Sequence, residues 1–197
     1  MLLNFTTKID FDKKFKQWKI NSVSFKRLYG DKEIDNFLQL LYDAYIIVKP
    51  EHLDKFRGLV FEMLMEAYYK NIYNKPKVDK FCCGCKVIIN GNDVLYECGE
   101  DEENNRSTVD IAGYNTEDSK FYELKVGPAG FEENTINYLN NLHTEAITHK
   151  ISKSIVVGCM TLKPKSALKI KLKSINHEAL ELNGIREIKN LLKNKAS

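Results

Sequence analysis

The segment STVDIAGYNTEDSKFYELKVG, residues 107–127, holds two apolar runs separated by a polar connection. Thr108–Tyr114 and Phe121–Val126 have the length and the residue types of β-strands. Each run nevertheless carries charged side chains between its apolar ones, although burying an unpaired charge is costly. The two strands are the strongest indication of a β-sheet in the chain, and their charged side chains indicate a functional site on that sheet.

The charges are Asp110 in the first run and Glu123 and Lys125 in the second. Side chains alternate between the two faces of a strand, so Glu123 and Lys125 share a face. If a hairpin pairs Tyr114 with Phe121, Asp110 lies opposite Lys125, and a slip by two places it opposite Glu123. Both registers gather the three charges on one face, whereas a slip by one would separate them.

The chain before this segment predicts two helices and a hairpin. Asp31–Lys49 has the apolar spacing of an amphipathic helix, and Pro50–Tyr73 is apolar on nearly all sides, which is typical of a largely buried helix. Further on, Phe81–Ile89 and Val94–Cys98 flank an Asn-Gly-Asn-Asp sequence, which is a strong hairpin signal.

The chain after the segment predicts a helix over Phe131–Lys150, strands over Ser154–Thr161 and Ala167–Ile175, and a helix over Asn183–Lys195. The order of elements indicates an α/β fold with a central mixed sheet of five or six strands flanked by helices. The helix that follows Val126 is the expected crossover between parallel strands.

Composition is ordinary for a globular protein. The 197 residues are 43% hydrophobic and 29% charged, and the formal net charge of +3 permits nucleic-acid binding without requiring it. We predict a single domain, 1–197, with a helical appendage over 1–49, a core over 50–175 and a C-terminal helix over 176–197. The sequence has no long apolar run and no signal-peptide pattern, so we expect no membrane span and a cytoplasmic location.

Two carboxylates brought this close together repel each other unless a cation or a proton intervenes. Carboxylate oxygens with room for water are the ligands that Mg²⁺ or Mn²⁺ prefers. A carboxylate pair beside a lysine is therefore suited to metal-assisted hydrolysis of phosphate diesters, in which the lysine orients or helps to deprotonate a water molecule.

At this point the chain resembles the PD-(D/E)XK nuclease superfamily, also called restriction-endonuclease-like. The resemblance rests on Asp110 in TVDIAGY, on Glu123-Leu124-Lys125 in FYELKV, and on the preceding helix FRGLVFEMLMEAYY. It covers roughly residues 50–175. One departure is Val109, which stands where the family pattern has proline.

The resemblance implies a restriction-endonuclease-like fold and a Mg²⁺-dependent (or Mn²⁺-dependent) nuclease that leaves a 5′-phosphate. Asp110 and Glu123 would bind the metal with the Leu124 carbonyl, and Lys125 would position the attacking water. Glu62 would bind a second metal or fix a water of the first. The substrate would be nucleic acid, DNA in preference to RNA, and double-strand cleavage with one site per chain would call for a homodimer.

Simpler interpretations stand beside these assignments. Asp110, Glu123 and Lys125 could form a cross-strand ion pair on an exposed face. Glu62 could belong to a solvated stripe that includes a Glu66–Lys70 pair, and Glu66 is the second choice for the family's helix glutamate. The chain could also be a non-catalytic module that binds nucleic acid or a partner protein on the same fold.

Other polar clusters also invite a functional interpretation. The four closely spaced cysteines suggest zinc, but their spacing suits small buried side chains better; they are Cys82, Cys83, Cys85 and Cys98. The lysines of the predicted strand 167–175 could bind phosphate, although lysines also protect edge strands; they are Lys169, Lys171 and Lys173. A third basic group, on a helix end, could contact phosphate or solvent, namely His143, His149, Lys150 and Lys153.

Overall fold

The computed structural model describes residues 7–21, 23, 26–27, 30–75, 79–97, 99, 105–173, 175 and 179–193. The chain divides into two compact units, Met1–Val60 and Phe61–Ser197. Each unit has a hydrophobic core of its own. The segment that carries the charged strands belongs to the second unit.

The first unit is helical. It contains α1, Lys8–Asn21, α2, Asp31–Ile47, and a single 3-10 turn, Pro50–His52. Helix α3, Leu53–Ile72, begins in this unit, and its residues from Phe61 onward belong to the second unit. The helix predicted over 31–49 is confirmed as α2. The core of the unit is aromatic and aliphatic, and its buried members are Phe11, Phe15, Leu38, Tyr45 and Leu53.

The second unit is built on β-structure. Its strands are β1, Lys80–Lys86; β2, Ile88–Ile89; β3, Asn92–Asp93; β4, Thr108–Tyr114; β5, Asp118–Lys125; β6, Ser154–Thr161; and β7, Glu181–Asn183. A five-stranded sheet has the order β1-β4-β5-β6-β7, and β2 pairs with β3 separately. Since β1, β4 and β5 are antiparallel and β5, β6 and β7 are parallel, the predicted mixed α/β sheet is confirmed.

The connection between β4 and β5 is shorter than predicted. The side-chain oxygen of Asn115 accepts hydrogen bonds from the main-chain N–H groups of Glu117 and Asp118, both at 2.8 Å. This local closure is typical of asparagine in turns. As a result β5 begins at Asp118, whereas the sequence pattern predicted Phe121.

The predicted crossover is present as α4, Glu133–Thr148, which joins the parallel strands β5 and β6. One face of α4 is apolar and buried, and it contributes Ile136, Leu139, Leu142 and Ala146 to the core. The same core contains residues of the central strands and of later elements, among them Phe121, Val157, Cys159, Leu168 and Leu182. The sheet therefore holds β5 between two neighbours, with α4 packed against its core.

The end of α3 approaches β4 closely. A side chain on Gly113 would overlap the ring of Tyr73, and the Tyr73 hydroxyl donates a 2.8 Å hydrogen bond to Asp118. Phe61, Met65 and Tyr69 are buried along the same helix. Met63 and Leu64 are 59% and 42% exposed, so the prediction that this helix is largely buried was wrong for one of its faces.

The strand predicted over Ala167–Ile175 is a helix, α5, Lys165–Leu172. Its buried residues are Leu168 and Leu172, four positions apart, whereas Ile170 is 75% exposed. Leucine, alanine and lysine all favour helices, and the apparent alternation concealed an i, i+4 pair. Lys169, Lys171 and Lys173 are exposed, and the first two lie on the helix, so their predicted role at a strand edge was wrong.

The last strand, β7, was not predicted, because three residues are too few to show a pattern. It pairs with β6 in parallel and is followed by α6, Ile185–Lys193, which confirms most of the helix predicted over 183–195. Residues 194–197 lie outside the part of the chain that the structure describes.

The hairpin signal is confirmed in its turn and in a 2.9 Å hydrogen bond from the Val94 N–H to the Val87 carbonyl, but the paired strands are shorter than predicted. Asn90 and Gly91 have φ of 51° and 82°, the left-handed conformation of a tight hairpin turn, and they join β2 to β3. The longer strand β1 ends at Lys86 and pairs with β4 instead of with Val94–Cys98.

Among the described helices, none is long and apolar enough to cross a membrane.

Candidate active site

The register of β4 and β5 brings the predicted residues to one end of the sheet. Ala112 pairs with Phe121 and Ile111 with Tyr122, which is the register slipped by two from the Tyr114–Phe121 pairing. Continued by one residue, this register places Asp110 beside Glu123. The antiparallel arrangement sets the beginning of β4 next to the end of β5, where Lys125 also lies.

Asp110 is held by the main chain of the neighbouring strand. Its Oδ2 atom accepts a 2.7 Å hydrogen bond from the N–H of Leu124. The paired residues of β4 and β5 end at Ile111 and Tyr122, so the carboxylate takes an N–H group that lies beyond the backbone ladder. The contact fixes one carboxylate oxygen of Asp110 and positions the peptide of Leu124, whose side chain is buried.

Lys125 lies between the two carboxylates. Its Nζ atom is 2.5 Å from Glu123 Oε1 and 3.7 Å from Asp110 Oδ2. The turn that follows β5 supports the lysine, because a Cβ on Gly130 would lie only 3.2 Å from Cγ and Cδ of its stem. The ammonium group therefore occupies the position between the two carboxylates that most favours a cation.

Glu62, on α3, lies within electrostatic reach of the same cluster. Its pKa is raised, first by partial burial and then by the negative charge of Asp110, while the positive charge of Lys125 opposes the shift. Glu66 raises the pKa of the Cys83 thiol, after the effect of burial and ahead of smaller effects of Asp110 and Glu62. No salt bridge joins Glu66 to Lys70 among the described residues, and Glu62 is a glutamate of α3 whose pKa responds to both Asp110 and Lys125.

Burial controls the charge state of Glu123, whose exposed fraction is only 4%. Its pKa is raised, by burial first and by Asp110 next, and the effect exceeds the opposing one of Lys125. Burial alone would lower the pKa of Lys125, but the charges of Glu123 and Asp110 raise it more, so the lysine is held in its protonated form. Two carboxylates thus share the ammonium group of Lys125, whose charge also reaches Glu62.

Two further residues near the site had not been expected from the sequence. Arg106 places a positive charge within reach of both Glu123 and Lys125 and lowers the pKa of each. The Tyr138 hydroxyl of α4 is buried without a hydrogen bond, and its pKa is raised by burial first and then by the charges of Cys85 and Glu123. Arg106 precedes Asp110 by four positions, and this even spacing in an extended chain is the signal that could have found it.

The other predicted clusters lie away from the site or lack its geometry. His149 is 3.4 Å from Glu145, and Lys153 contacts Glu117 at 2.7 Å beside the turn that begins β5, at the opposite end of that strand. His143 is partly buried on α4. The basic groups 143–153 are therefore not brought to the carboxylates.

The cysteines follow the second interpretation only in part. Cys82 is exposed, while Cys83 and Cys85 are partly buried on β1, and burial raises the pKa of their thiols to about 11 and about 12. Cys98 lies outside the described residues, as do the acidic residues 100–103. A zinc site would need thiolates, and a raised pKa disfavours them.

The donor set of the site is made of hard oxygen atoms. Asp110, Glu123 and Glu62 offer carboxylates, which suit Mg²⁺ or Mn²⁺ rather than a soft metal. Within the described ranges, however, no three His, Cys, Asp or Glu side chains are grouped closely enough to form a metal site by themselves. A metal at Asp110 and Glu123 would therefore complete its coordination with the Leu124 carbonyl, water or substrate.

Comparison with protein-family models, with curated proteins and with solved structures finds no match to this chain. The fold and the geometry of the carboxylate–lysine cluster therefore carry the functional interpretation.

Proposed function

We propose that the chain is a Mg²⁺- or Mn²⁺-dependent nuclease with a restriction-endonuclease-like fold that hydrolyses phosphodiester bonds, in DNA in preference to RNA. The observation that carries the proposal is the position of Lys125 Nζ, 2.5 Å from Glu123 and 3.7 Å from Asp110 at the end of two adjacent strands. Glu62 on the preceding helix adds a third carboxylate, as the resemblance implies.

The charge balance of the site supports a bound cation. Burial and the negative charge of Asp110 raise the pKa of Glu123 and of Glu62, so neither carboxylate is fully compensated by Lys125. A divalent cation held by Asp110, Glu123 and the Leu124 carbonyl would supply the missing charge. When bound, such a cation stabilises the negative charge that develops on phosphate and lowers the pKa of a coordinated water.

Asp110, Glu123 and Lys125 each have a distinct role in this proposal. Asp110 is fixed through Oδ2 by the Leu124 N–H, and its carboxylate would bind the cation. Glu123 offers a second carboxylate from a buried position. Lys125 would leave its ion pair once the carboxylates are neutralised. Its pKa would then fall, because the two charges that raise it are compensated, and a lysine with a lowered pKa can orient or deprotonate a water molecule.

Strand β5 supplies its own control for the test. Asp118 and Lys120 repeat the acid-x-lysine spacing at the other end of the strand, with 3.0 Å between their charged groups. The experiment compares wild type, Lys125→Ala and Lys120→Ala on supercoiled plasmid, linear duplex and single-stranded DNA and on RNA. Mg²⁺, Mn²⁺ and a chelator are tested in turn, and thermal unfolding verifies that each variant is folded.

We expect cleavage with Mg²⁺ or Mn²⁺ and none with the chelator. Lys125→Ala should lose roughly 10²-fold or more of the rate, as removal of a general acid–base group does. Lys120→Ala should stay within a few-fold of wild type. Full activity in folded Lys125→Ala would contradict the proposal, and binding without cleavage under every condition would assign a non-catalytic binding module.

A further inference from the structure

The guanidinium group of Arg106 has no described partner. It makes no hydrogen bond and no ion pair with any residue in the described ranges, although the residue is partly buried. Most arginines that are withdrawn from solvent are paired, because an unpaired charge loses hydration. Since the guanidinium stays charged at any physiological pH, it stands ready for an anion.

The backbone of Arg106 is nonetheless firmly placed. Its N–H and carbonyl exchange hydrogen bonds of 2.9 and 2.8 Å with Tyr96. The Tyr96 hydroxyl in turn accepts a 3.0 Å hydrogen bond from Asn137 of α4. The backbone of Arg106 is therefore held by Tyr96, which is itself bonded to the crossover helix α4.

Arg106 lies just before the beginning of β4, the part of that strand that carries Asp110. Arg106 is two positions before Thr108, the first residue of β4, and the beginning of β4 lies beside the end of β5 that bears Glu123 and Lys125. Arg106 is four positions before Asp110, so in an extended chain its side chain lies on the face that also holds Asp110, Glu123 and Lys125. It therefore lies close enough to influence an anion bound there.

We propose that Arg106 is the phosphate-binding residue of this site, and that its guanidinium holds non-bridging oxygens of the phosphodiester presented to Asp110, Glu123 and Lys125. The inference rests on the proposed function. Arginine suits this task better than lysine, because its planar fork donates two parallel hydrogen bonds to one phosphate. Arg106 would thus position the substrate, while the carboxylates hold the cation.

A purely structural role for Arg106 would give a different result. If the guanidinium only offset the charge of Glu123, its removal would change the affinity for the metal or the stability of the fold and leave the affinity for nucleic acid unaltered. The test therefore measures metal binding and DNA binding separately, in a protein that cannot cleave.

The experiment uses the full chain carrying Lys125→Ala, and compares it with the same chain carrying Arg106→Ala, Arg106→Lys or Lys153→Ala in addition. Lys153→Ala is the matched control, because it removes one cation at the opposite end of β5. A labelled 20-base-pair duplex is titrated at several salt concentrations in the presence of Mg²⁺, and Mn²⁺ binding is measured by calorimetry without DNA. Steady-state cleavage by Arg106→Ala and Arg106→Lys with Lys125 intact completes the set.

We expect Arg106→Ala to weaken duplex binding by roughly tenfold to a hundredfold, as loss of a charged hydrogen bond does. The slope of log affinity against log salt should become shallower by about 0.9, the value of one phosphate contact. Arg106→Lys should recover only part of the affinity for the duplex. With Lys125 intact, Arg106→Ala should cleave DNA with a raised KM.

Equal duplex affinity in Arg106→Ala and Lys153→Ala would overturn the inference, as would a loss confined to Mn²⁺ binding. If wild type cleaves DNA while Arg106→Ala keeps the wild-type KM, this inference fails and the proposed function stands. If wild type neither cleaves nor binds nucleic acid, the proposed function itself fails.

Discussion

The main-chain N–H of Leu124 donates a 2.7 Å hydrogen bond to the carboxylate of Asp110, so a site residue of one strand is fixed by the backbone of the next. The contact joins the two halves of the candidate site, because Leu124 lies between Glu123 and Lys125. It also gives Asp110 a structural role beside its proposed role as a ligand, and two substitutions can separate these roles.

Asp110→Asn should remove activity with a small effect on stability, since the amide retains an oxygen that can accept from Leu124 but loses the negative charge. Asp110→Ala should remove activity and also lower the free energy of unfolding by about 1–3 kcal/mol, the cost of leaving a buried N–H without an acceptor. Denaturant unfolding and the cleavage assay measure the two effects. Substantial cleavage by folded Asp110→Asn would argue against a ligand role.

Glu62→Gln should stabilise the metal-free protein at neutral pH. Because the pKa of Glu62 is raised above its ordinary value of 4.5 in the fold, the folded state holds this proton more tightly than the unfolded chain does. The favourable contribution is therefore complete below pH 4.5 and disappears as the pH rises through the folded pKa. The advantage of Glu62→Gln over wild type should appear in that interval.

Urea unfolding of wild type and Glu62→Gln at a series of pH values measures this difference. The two curves should converge under acidic conditions and diverge as the pH approaches neutrality. Addition of Mg²⁺ at neutral pH should narrow the gap, because a cation compensates the carboxylate in wild type. Parallel stability curves at every pH would show that the fold leaves Glu62 unperturbed.

Gly113→Ala should destabilise the second unit, because the added methyl group would overlap the Tyr73 ring. That ring cannot move freely, since it is buried and its hydroxyl is bonded to Asp118. Overpacking of this kind costs about 1–3 kcal/mol. The double variant Gly113→Ala/Tyr73→Ala should lose less stability than the sum of the losses of the two single variants. Strict additivity would show that the methyl group clashes with something other than Tyr73.

Leu168→Ala and Ile170→Ala distinguish the observed helix α5 from the strand that the alternation predicted. Leu168 is fully buried and Ile170 is 75% exposed, so the first change should cost about 2–5 kcal/mol. The second should stay within about 0.5 kcal/mol, as surface changes do. In a strand both residues would share one face, and equal losses on thermal unfolding would support that arrangement.

The core of the sheet could be predicted because its strands carry strong local signals. The bounds of β4, Thr108–Tyr114, and β6, Ser154–Thr161, were predicted to the residue. The helix between β5 and β6 predicted that these two strands are parallel. Two registers were expected to gather Asp110 and Glu123 on one face, and the second of them is observed. The choice between them depended on the Asn115 turn, whose side-chain hydrogen bonds shorten the connection.

The remaining features depend on contacts that a local pattern does not encode. Helix α5 was mistaken for a strand because Leu168 and Leu172 satisfy both periods, and only packing against the core decides between them. Strand β7 exists because β6 offers an edge to pair with. Arg106 lies outside the strands of the sheet, and its backbone is held by the tertiary pairing with Tyr96.

The position of β5 between two unlike neighbours has a consequence for the order of folding. β4 can pair with β5 as soon as the short turn closes, whereas β6 can join only after the whole of α4 has been made. Contacts that close short loops form sooner than those that close long ones. On a nascent chain, Asp110 would therefore bond to Leu124 before Cys159 of β6 packs beside Glu123. Asp110 and Glu123 would come together while both carboxylates are still hydrated.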